Sequence, residues 1–206
     1  MTFMKVCGIT RASDARHAVT HGASALGFVF WPRSPRYITP DKAAIIISEL
    51  QGNVQAVGVF VDQAPEEILR IIAETGISMV QLHGDELSNH AEQIQLPLLK
   101  AMTLENAVET MAKWPEPTTM LLDANDAVKH GGTGKRIDWV RAAEVASCRR
   151  VILAGGLTDT NIEEAIRTVR PYGVDVSSGV EDSPGIKNLN KLTGFLDRAR
   201  GVSDDF

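Results

Sequence analysis

The chain has 206 residues, 44% of them hydrophobic, which fits one domain with one substantial core. Its 21 basic and 26 acidic residues give a net charge of −5, so no global positive field attracts nucleic acid or an anionic membrane surface, and any phosphate site must be local. The opening Met1-Thr2-Phe3-Met4-Lys5-Val6-Cys7 lacks the regions of a signal peptide, no apolar run approaches the roughly 18 residues of a membrane helix, and Cys7 and Cys148 are too few for a disulfide framework or a zinc site, which predicts a cytoplasmic protein with free thiols.

Short apolar, β-rich runs recur along the chain, at residues 4–9, 25–30, 54–61, 78–82, 98–102, 119–122, 150–153 and 174–177. Helical periodicity fills the gaps between them. Thr39 followed by Pro40 reads as an N-cap and N1 pair for the second helix. Gly52, Gly76 and Gly173 mark exits from helices toward the next strand. The clearest helix is predicted over 160–170, where Ile162, Ala165, Ile166 and Val169 share one face and Thr160 with Glu163 forms a capping box. Strict alternation of strand and helix needs a parallel sheet covered by helices, and a repeat of about 25 residues over eight units suits a closed (β/α)8 barrel, an α/β fold spanning 1–206 as a single domain. An open doubly wound sheet is the competitor. It normally carries a glycine-rich turn after its first strand, whereas Cys7-Gly8-Ile9-Thr10 holds one glycine.

A barrel places its chemistry at the C-terminal ends of the strands. Cys7 ends the first strand there; it reads either as a packed small hydrophobe or as a general base, a role that needs the thiolate and so a means of lowering the thiol pKa. Side chains alternate along a strand, so Cys7 shares its face with Lys5, Gln81 with His83, Leu121 with Asp123, and Asp175 with Ser177. Lys5 and Asp175 become neighbours if the barrel closes, and a buried ion pair is one reading of both. Asp123 is either a loop-opening carboxylate or a proton donor whose apolar neighbours Met120, Leu121 and Leu122 keep it protonated. Arg36, in Trp31-Pro32-Arg33-Ser34-Pro35-Arg36-Tyr37, is either a solvated charge or a fork for a carboxylate. Gln81 and His83 read as a satisfied polar pair at the mouth or as part of a substrate lining that also includes Asp175. Gly155 and Gly156 before a helix start, paired with Ser177, Ser178 and Gly179 after the next strand, form the two-part phosphate cradle that barrels build from their last two loops. Gly131-Gly132-Thr133-Gly134 can serve as an anion nest or a loop over substrate, with Gly132 and Gly134 the contacting positions.

Taken together, Lys5-Val6-Cys7-Gly8-Ile9-Thr10, Gly27-Phe28-Val29-Phe30 with Ser34-Pro35-Arg36, Val80-Gln81-Leu82-His83-Gly84, Leu121-Leu122-Asp123, Gly131-Gly132-Thr133-Gly134, Leu153-Ala154-Gly155-Gly156-Leu157 and Asp175-Val176-Ser177-Ser178-Gly179-Val180-Glu181 resemble phosphoribosylanthranilate isomerases along nearly the whole chain. The resemblance implies an Amadori rearrangement in tryptophan biosynthesis, with Cys7 as general base, Asp123 as general acid and Arg36 on the anthranilate carboxylate. It implies no cofactor and no metal, a phosphorylated aminosugar substrate as partner with no nucleic acid or membrane, and a monomer. One departure is Ile137 before Asp138-Trp139, where the family often has phenylalanine; a packing change is expected. The rival readings are the related aminosugar isomerase of histidine biosynthesis, disfavoured by cysteine rather than aspartate at the first strand end, and a non-catalytic phosphosugar-binding barrel.

Overall fold

The computed structural model describes residues 2–50, 52–123 and 138–203. Its first half runs β1 (Phe3–Cys7), α1 (Ala12–Thr20), β2 (Ala25–Val29), α2 (Pro40–Ser48), β3 (Gln55–Phe60), α3 (Pro65–Thr75) and β4 (Met79–Leu82). The second half runs α4 (His90–Gln93), β5 (Leu98–Met102), α5 (Ala107–Lys113), β6 (Thr119–Asp123), α6 (Trp139–Cys148), β7 (Val151–Ala154), α7 (Ile162–Val169) and β8 (Gly173–Val176). The eight strands pair in sequence order, all parallel, and β8 closes on β1. The expected barrel is therefore the fold. After β8 come a short 3-10 turn (Ser178–Val180), an antiparallel hairpin of β9 (Glu181–Ser183) and β10 (Ile186–Lys187), and the closing helix α8 (Leu189–Ser203).

Two layers of apolar side chains follow from the period of two along each strand. Val6, Leu26, Phe28, Met120, Leu122 and Val174 point outward and are fully buried against the helices. Ala25, Val57, Leu99, Leu121 and Ile152 point inward and fill the bore. The predicted face of α7 packs as expected, since Ile162, Ala165, Ile166 and Val169 are all at most 3% exposed, each larger side chain contributing roughly 1.5–3 kcal/mol of burial.

Two local readings need correction. Thr160 does not cap α7. Asn161 occupies the N-cap, and the Thr158 and Thr160 hydroxyls bond each other at 2.9 Å, building the turn before the helix instead of its first turn. Thr39 stands at the N-cap of α2 with Pro40 at N1, as expected, although its side chain makes no capping hydrogen bond. Gly76 caps α3 in the left-handed region at φ 70°, whereas α7 is capped by Arg170 at φ 51° and Gly173 is the first residue of β8. The small residue is required there because a Cβ would lie 2.6 Å from the Phe3 carbonyl oxygen on β1.

No helix among the described residues is long and apolar enough to cross a membrane.

Candidate active site

The C-terminal ends of the strands surround a cavity of about 290 Å³. Cys7, Arg36, Gln81, His83, Asp123, Gly155, Gly156, Asp175, Ser177, Ser178 and Gly179 all line it, so the residues singled out from sequence converge on one space. Gly132 and Gly134, with Gly131, Thr133 and Ile137, lie outside the described residues. Val29, Trp31, Val59 and Leu157 add an apolar wall that the sequence reading missed. Such positions are indistinguishable from ordinary core in a strand pattern.

The base side is built on β1, β2 and β8. Barrel closure sets Lys5 opposite Asp175, and Lys5 Nζ donates to Asp175 Oδ2 at 3.0 Å with neither side chain more than 9% exposed. The buried ion pair expected for these two is present. Cys7 stands two residues on, facing the same interior. Gly27 on β2 leaves the room: a Cβ there would lie 2.8 Å from Cys7 Sγ and 3.2 Å from Lys5 Nζ, so a thiol and an ammonium meet across a position without a side chain. Burial pushes the Cys7 thiol above its ordinary value, Asp175 pushes the same way, and Lys5 and Lys187 oppose them. Two cations are thus present to lower the thiol pKa, but desolvation outweighs them. Burial disfavours the Lys5 ammonium, yet Asp175 and Cys7 outweigh it and hold the lysine charged. Burial also lifts the Asp175 carboxyl against the pull of Lys5.

The opposite wall comes from β4 and β6. Gln81 Nε2 lies 2.8 Å from His83 Nδ1, and His83 Nε2 lies 3.8 Å from Asp123 Oδ2. With the Gln81 amide donating, Nδ1 accepts and the imidazole proton sits on Nε2, toward Asp123. Burial lowers the His83 pKa, Asp123 resists that shift and Lys5 adds to it, which leaves the ring neutral near pH 7. The apolar setting expected around Asp123 is present only in part, since Leu121 lines the cavity on the same face. Met120 and Leu122 face the helices, and the Asp123 side chain is 30% exposed at the mouth beside His83.

Outside the barrel wall, Glu86 and Lys100 form a second buried pair at 2.7 Å; Glu86 accepts from the Gly84 N–H while Lys100 donates to the Gly84 carbonyl. That clamp fixes the peptide that follows His83.

Arg36 is not a solvated charge. Its Nε and Nη2 donate to both carboxylate oxygens of Glu181, at 2.7–3.1 Å, so the fork already holds a carboxylate from its own chain. Gly8, at φ 76°, makes this possible, because a Cβ there would stand 2.5 Å from Arg36 Cδ. Glu181 is in turn bonded by Lys187 Nζ at 2.9 Å and by the Gly185 N–H at 3.2 Å. Neither Glu181 nor Lys187 was singled out from sequence as a site residue. Both come from the β9–β10 hairpin, whose short strands carry no periodic signal.

The two glycine loops form one cradle. Gly155 and Gly156 adopt positive φ (86° and 66°), and Gly179 packs so tightly on the Leu157 carbonyl that any side chain at 179 would collide with it. Asn161 at the start of α7 donates to the Gly156 carbonyl and accepts from the Thr158 N–H, tying the first loop to the helix N-terminus. Backbone N–H groups near a helix start suit a phosphoryl group. Among the described residues no cluster of three or more His, Cys, Asp or Glu could hold a metal ion. The arrangement offers a thiol and a carboxyl on opposite walls of one cavity, an anion cradle and an arginine.

Residues 4–198 match the family model for N-(5′-phosphoribosyl)anthranilate (PRA) isomerase. The N-(5′-phosphoribosyl)anthranilate isomerase of Geobacter sp. (strain M21) is 44% identical over 205 residues, covering 98% of this chain and 100% of its own. The crystal structure of phosphoribosyl anthranilate isomerase from Thermotoga maritima superposes with a TM-score of 0.89 at 38% identity, covering 98% of this chain and 100% of that one. A second crystal structure of such an isomerase, in complex with reduced 1-(o-carboxyphenylamino)-1-deoxyribulose 5-phosphate, gives 0.86 at 37% identity with the same coverage.

Proposed function

The chain belongs to the N-(5′-phosphoribosyl)anthranilate isomerase family, and we propose that Cys7 and Asp123 carry out the two proton transfers of that family's reaction. The reaction is the Amadori rearrangement of N-(5′-phosphoribosyl)anthranilate to 1-(2-carboxyphenylamino)-1-deoxyribulose 5-phosphate, a step of tryptophan biosynthesis. The observation that supports the assignment is the facing of a buried thiol and a mouth carboxyl across one cavity that also contains both glycine loops.

Asp123 gives its proton to the furanose ring oxygen while the bond from that oxygen to C1′ breaks and the anthranilate nitrogen lone pair forms the Schiff base. The Cys7 thiolate then takes the proton from C2′, and the C–H electron pair moves to form the enolamine. Tautomerisation, with the 2′-hydroxyl proton lost and a proton gained at C1′, gives the ketone. Atoms and electrons are conserved in this sequence, so it calls for no redox group. Lys5, beside Cys7, stabilises the thiolate when it forms. The backbone of Gly155, Gly156, Ser177, Ser178 and Gly179 takes the phosphate. Arg36 presents its remaining edge to the anthranilate carboxylate while Glu181 holds the other edge. Gln81, His83 and Asp175 line the sugar between these anchors. Fixing both ends of the substrate lets orientation supply much of the rate.

Purified protein with excess EDTA should consume the fluorescence of phosphoribosylanthranilate. Cys7→Ala and Asp123→Asn should each lose roughly 10²–10⁴-fold in kcat while still binding a phosphate-bearing product analogue. Full turnover in either variant would remove that residue from its role. The reading extends to a monomer, since one chain supplies every group named above; sedimentation at the mass of one chain is the expected result.

A further inference from the structure

We propose that Lys187 is a positioning residue of the isomerase reaction: its buried ammonium fixes the main chain behind the Cys7 thiol and, through Glu181, the guanidinium of Arg36. The inference rests on the roles of Cys7 and Arg36 given above. Lys187 leaves β10, outside the barrel, and its side chain is 0% exposed. The Nζ donates to the Cys7 carbonyl at 2.5 Å, the Ser177 carbonyl at 3.2 Å and Glu181 Oε1 at 2.9 Å, which uses all three ammonium hydrogens. One nitrogen therefore bonds the base-bearing strand, the second phosphate loop and the partner of the carboxylate fork.

Hairpin anchoring does not explain the charge. The hairpin is already clipped to the β1–α1 loop by Thr10 Oγ1 donating to the Gly185 carbonyl at 2.5 Å, and to α1 by the Lys187 N–H donating to Asp14 Oδ2 at 3.0 Å. A buried ammonium is costly to desolvate, and an apolar residue of similar volume is often as stable. What the ammonium adds is the fixed distance between three parts that must act on one substrate. A shift of about 1 Å in such geometry costs about 10²-fold in rate. It also adds charge. The groups facing the thiol are Lys5 on its own strand, Asp175 on β8, Arg36 from the loop after β2 and Lys187 on β10; of these, Lys5 and Lys187 oppose the burial that lifts the thiol.

The test measures kcat and KM for phosphoribosylanthranilate from pH 6 to 9.5 in the wild type and in Lys187→Met, Lys187→Arg and Glu181→Gln. Lys187→Met is expected to lose about tenfold or more in kcat at neutral pH and to move the rising limb of its pH profile about half a unit or more to higher pH. Lys187→Arg keeps the charge and so keeps the limb at the wild-type position, even where added bulk lowers Tm. Glu181→Gln is expected to raise KM about tenfold with kcat within about threefold, because only the fork loses its support. A Lys187→Met enzyme that merely melts earlier, with kcat or the limb unchanged, overturns the proposal, as does a Lys187→Arg limb that moves with that of Lys187→Met. Should Lys187→Met fail to fold, Lys187→Arg and Glu181→Gln decide. A wild type that leaves the substrate untouched overturns the underlying reading of Cys7 and Arg36 instead.

Discussion

The two walls of the cavity are built on opposite principles. On the β8–β1–β2 side, Cys7, Lys5 and Asp175 are all at least nine-tenths buried, and each charge is held by a specific partner. On the β4–β6 side, the side chains of His83 and Asp123 are 36% and 30% exposed, and they meet at 3.8 Å. The nearest buried ion pair on that side, Glu86 with Lys100, binds the Gly84 peptide and not a cavity side chain. The difference matches the chemistry. A carbon acid needs a base held at one angle and stripped of water, whereas a proton delivered to a ring oxygen can be restored from solvent through an open mouth.

This contrast is tested most severely by comparing the two catalytic deletions. Alanine leaves no proton acceptor where the thiol stood on the cavity wall, so Cys7→Ala should lose about 10⁴-fold in kcat. Solvent reaches the Asp123 position, so Asp123→Asn should lose less, about 10²–10³-fold. Steady-state kcat from the same fluorescence assay ranks them. If Asp123→Asn proves the more damaging, the two-wall description is wrong.

Next in size is the ion pair beneath the thiol. Lys5→Met leaves Asp175 buried without its partner, a change that costs roughly 3–5 kcal/mol. For a chain of this length that lowers Tm by about 10 °C or more. The double variant Lys5→Met/Asp175→Leu should recover most of that stability while remaining slow, because the cation opposing the rise of the thiol pKa is still missing. Calorimetry and kcat read the two effects separately. A double variant that recovers both activity and stability would show that the pair serves packing alone.

The same wall sets the pH dependence. Burial raises the Cys7 thiol, and the thiolate is the form that accepts the proton, so the active fraction lies below the thiol pKa across the neutral range. Below that pKa the thiolate fraction grows tenfold per pH unit. The rate at which iodoacetamide alkylates Cys7, which follows the thiolate alone, is therefore expected still to climb above pH 7. A plateau already reached at pH 6.5 would mean that the cations win over burial.

Much of this was legible in the sequence because it is periodic or punctuated. The alternation of strand and helix gave the barrel, and closure of the barrel followed into the pairing of Lys5 with Asp175, 170 residues apart. Cys7, His83, Asp123 and the two glycine loops are legible because each sits just where a strand ends, and Arg36 because it stands in a proline-flanked loop beyond one. The Thr160 capping box failed because a threonine with a glutamate three residues on has the same letters whether its hydroxyl bonds a helix N–H or a neighbouring threonine. The environment of Asp123 is legible only in part for a related reason: Leu121, two residues back, shares its face and the cavity, whereas Met120 and Leu122 point to the helices. Glu181 and Lys187 were passed over because their partners lie 145 and 180 residues away and their hairpin is too short to announce itself.

The smallest effect belongs to the open wall and is the sharpest check on it. His83 and Asp123 are separated by 3.8 Å, about a third exposed, and the imidazole is neutral near pH 7 because burial lowers its pKa more than Asp123 raises it. A pair of that kind contributes at most about 1 kcal/mol after solvent screening, against the roughly 3–5 kcal/mol expected for breaking Lys5 from Asp175. His83→Gln keeps a polar group of similar reach beside Gln81 and should leave Tm within about 3 °C of the wild type. Its kinetic signature should be a KM a few-fold higher with kcat little changed, as expected of a group that lines the sugar without moving a proton. A loss in kcat comparable to that of Asp123→Asn would instead make His83 part of the proton transfer, and the open wall would then depend on a coupled pair as the buried wall does.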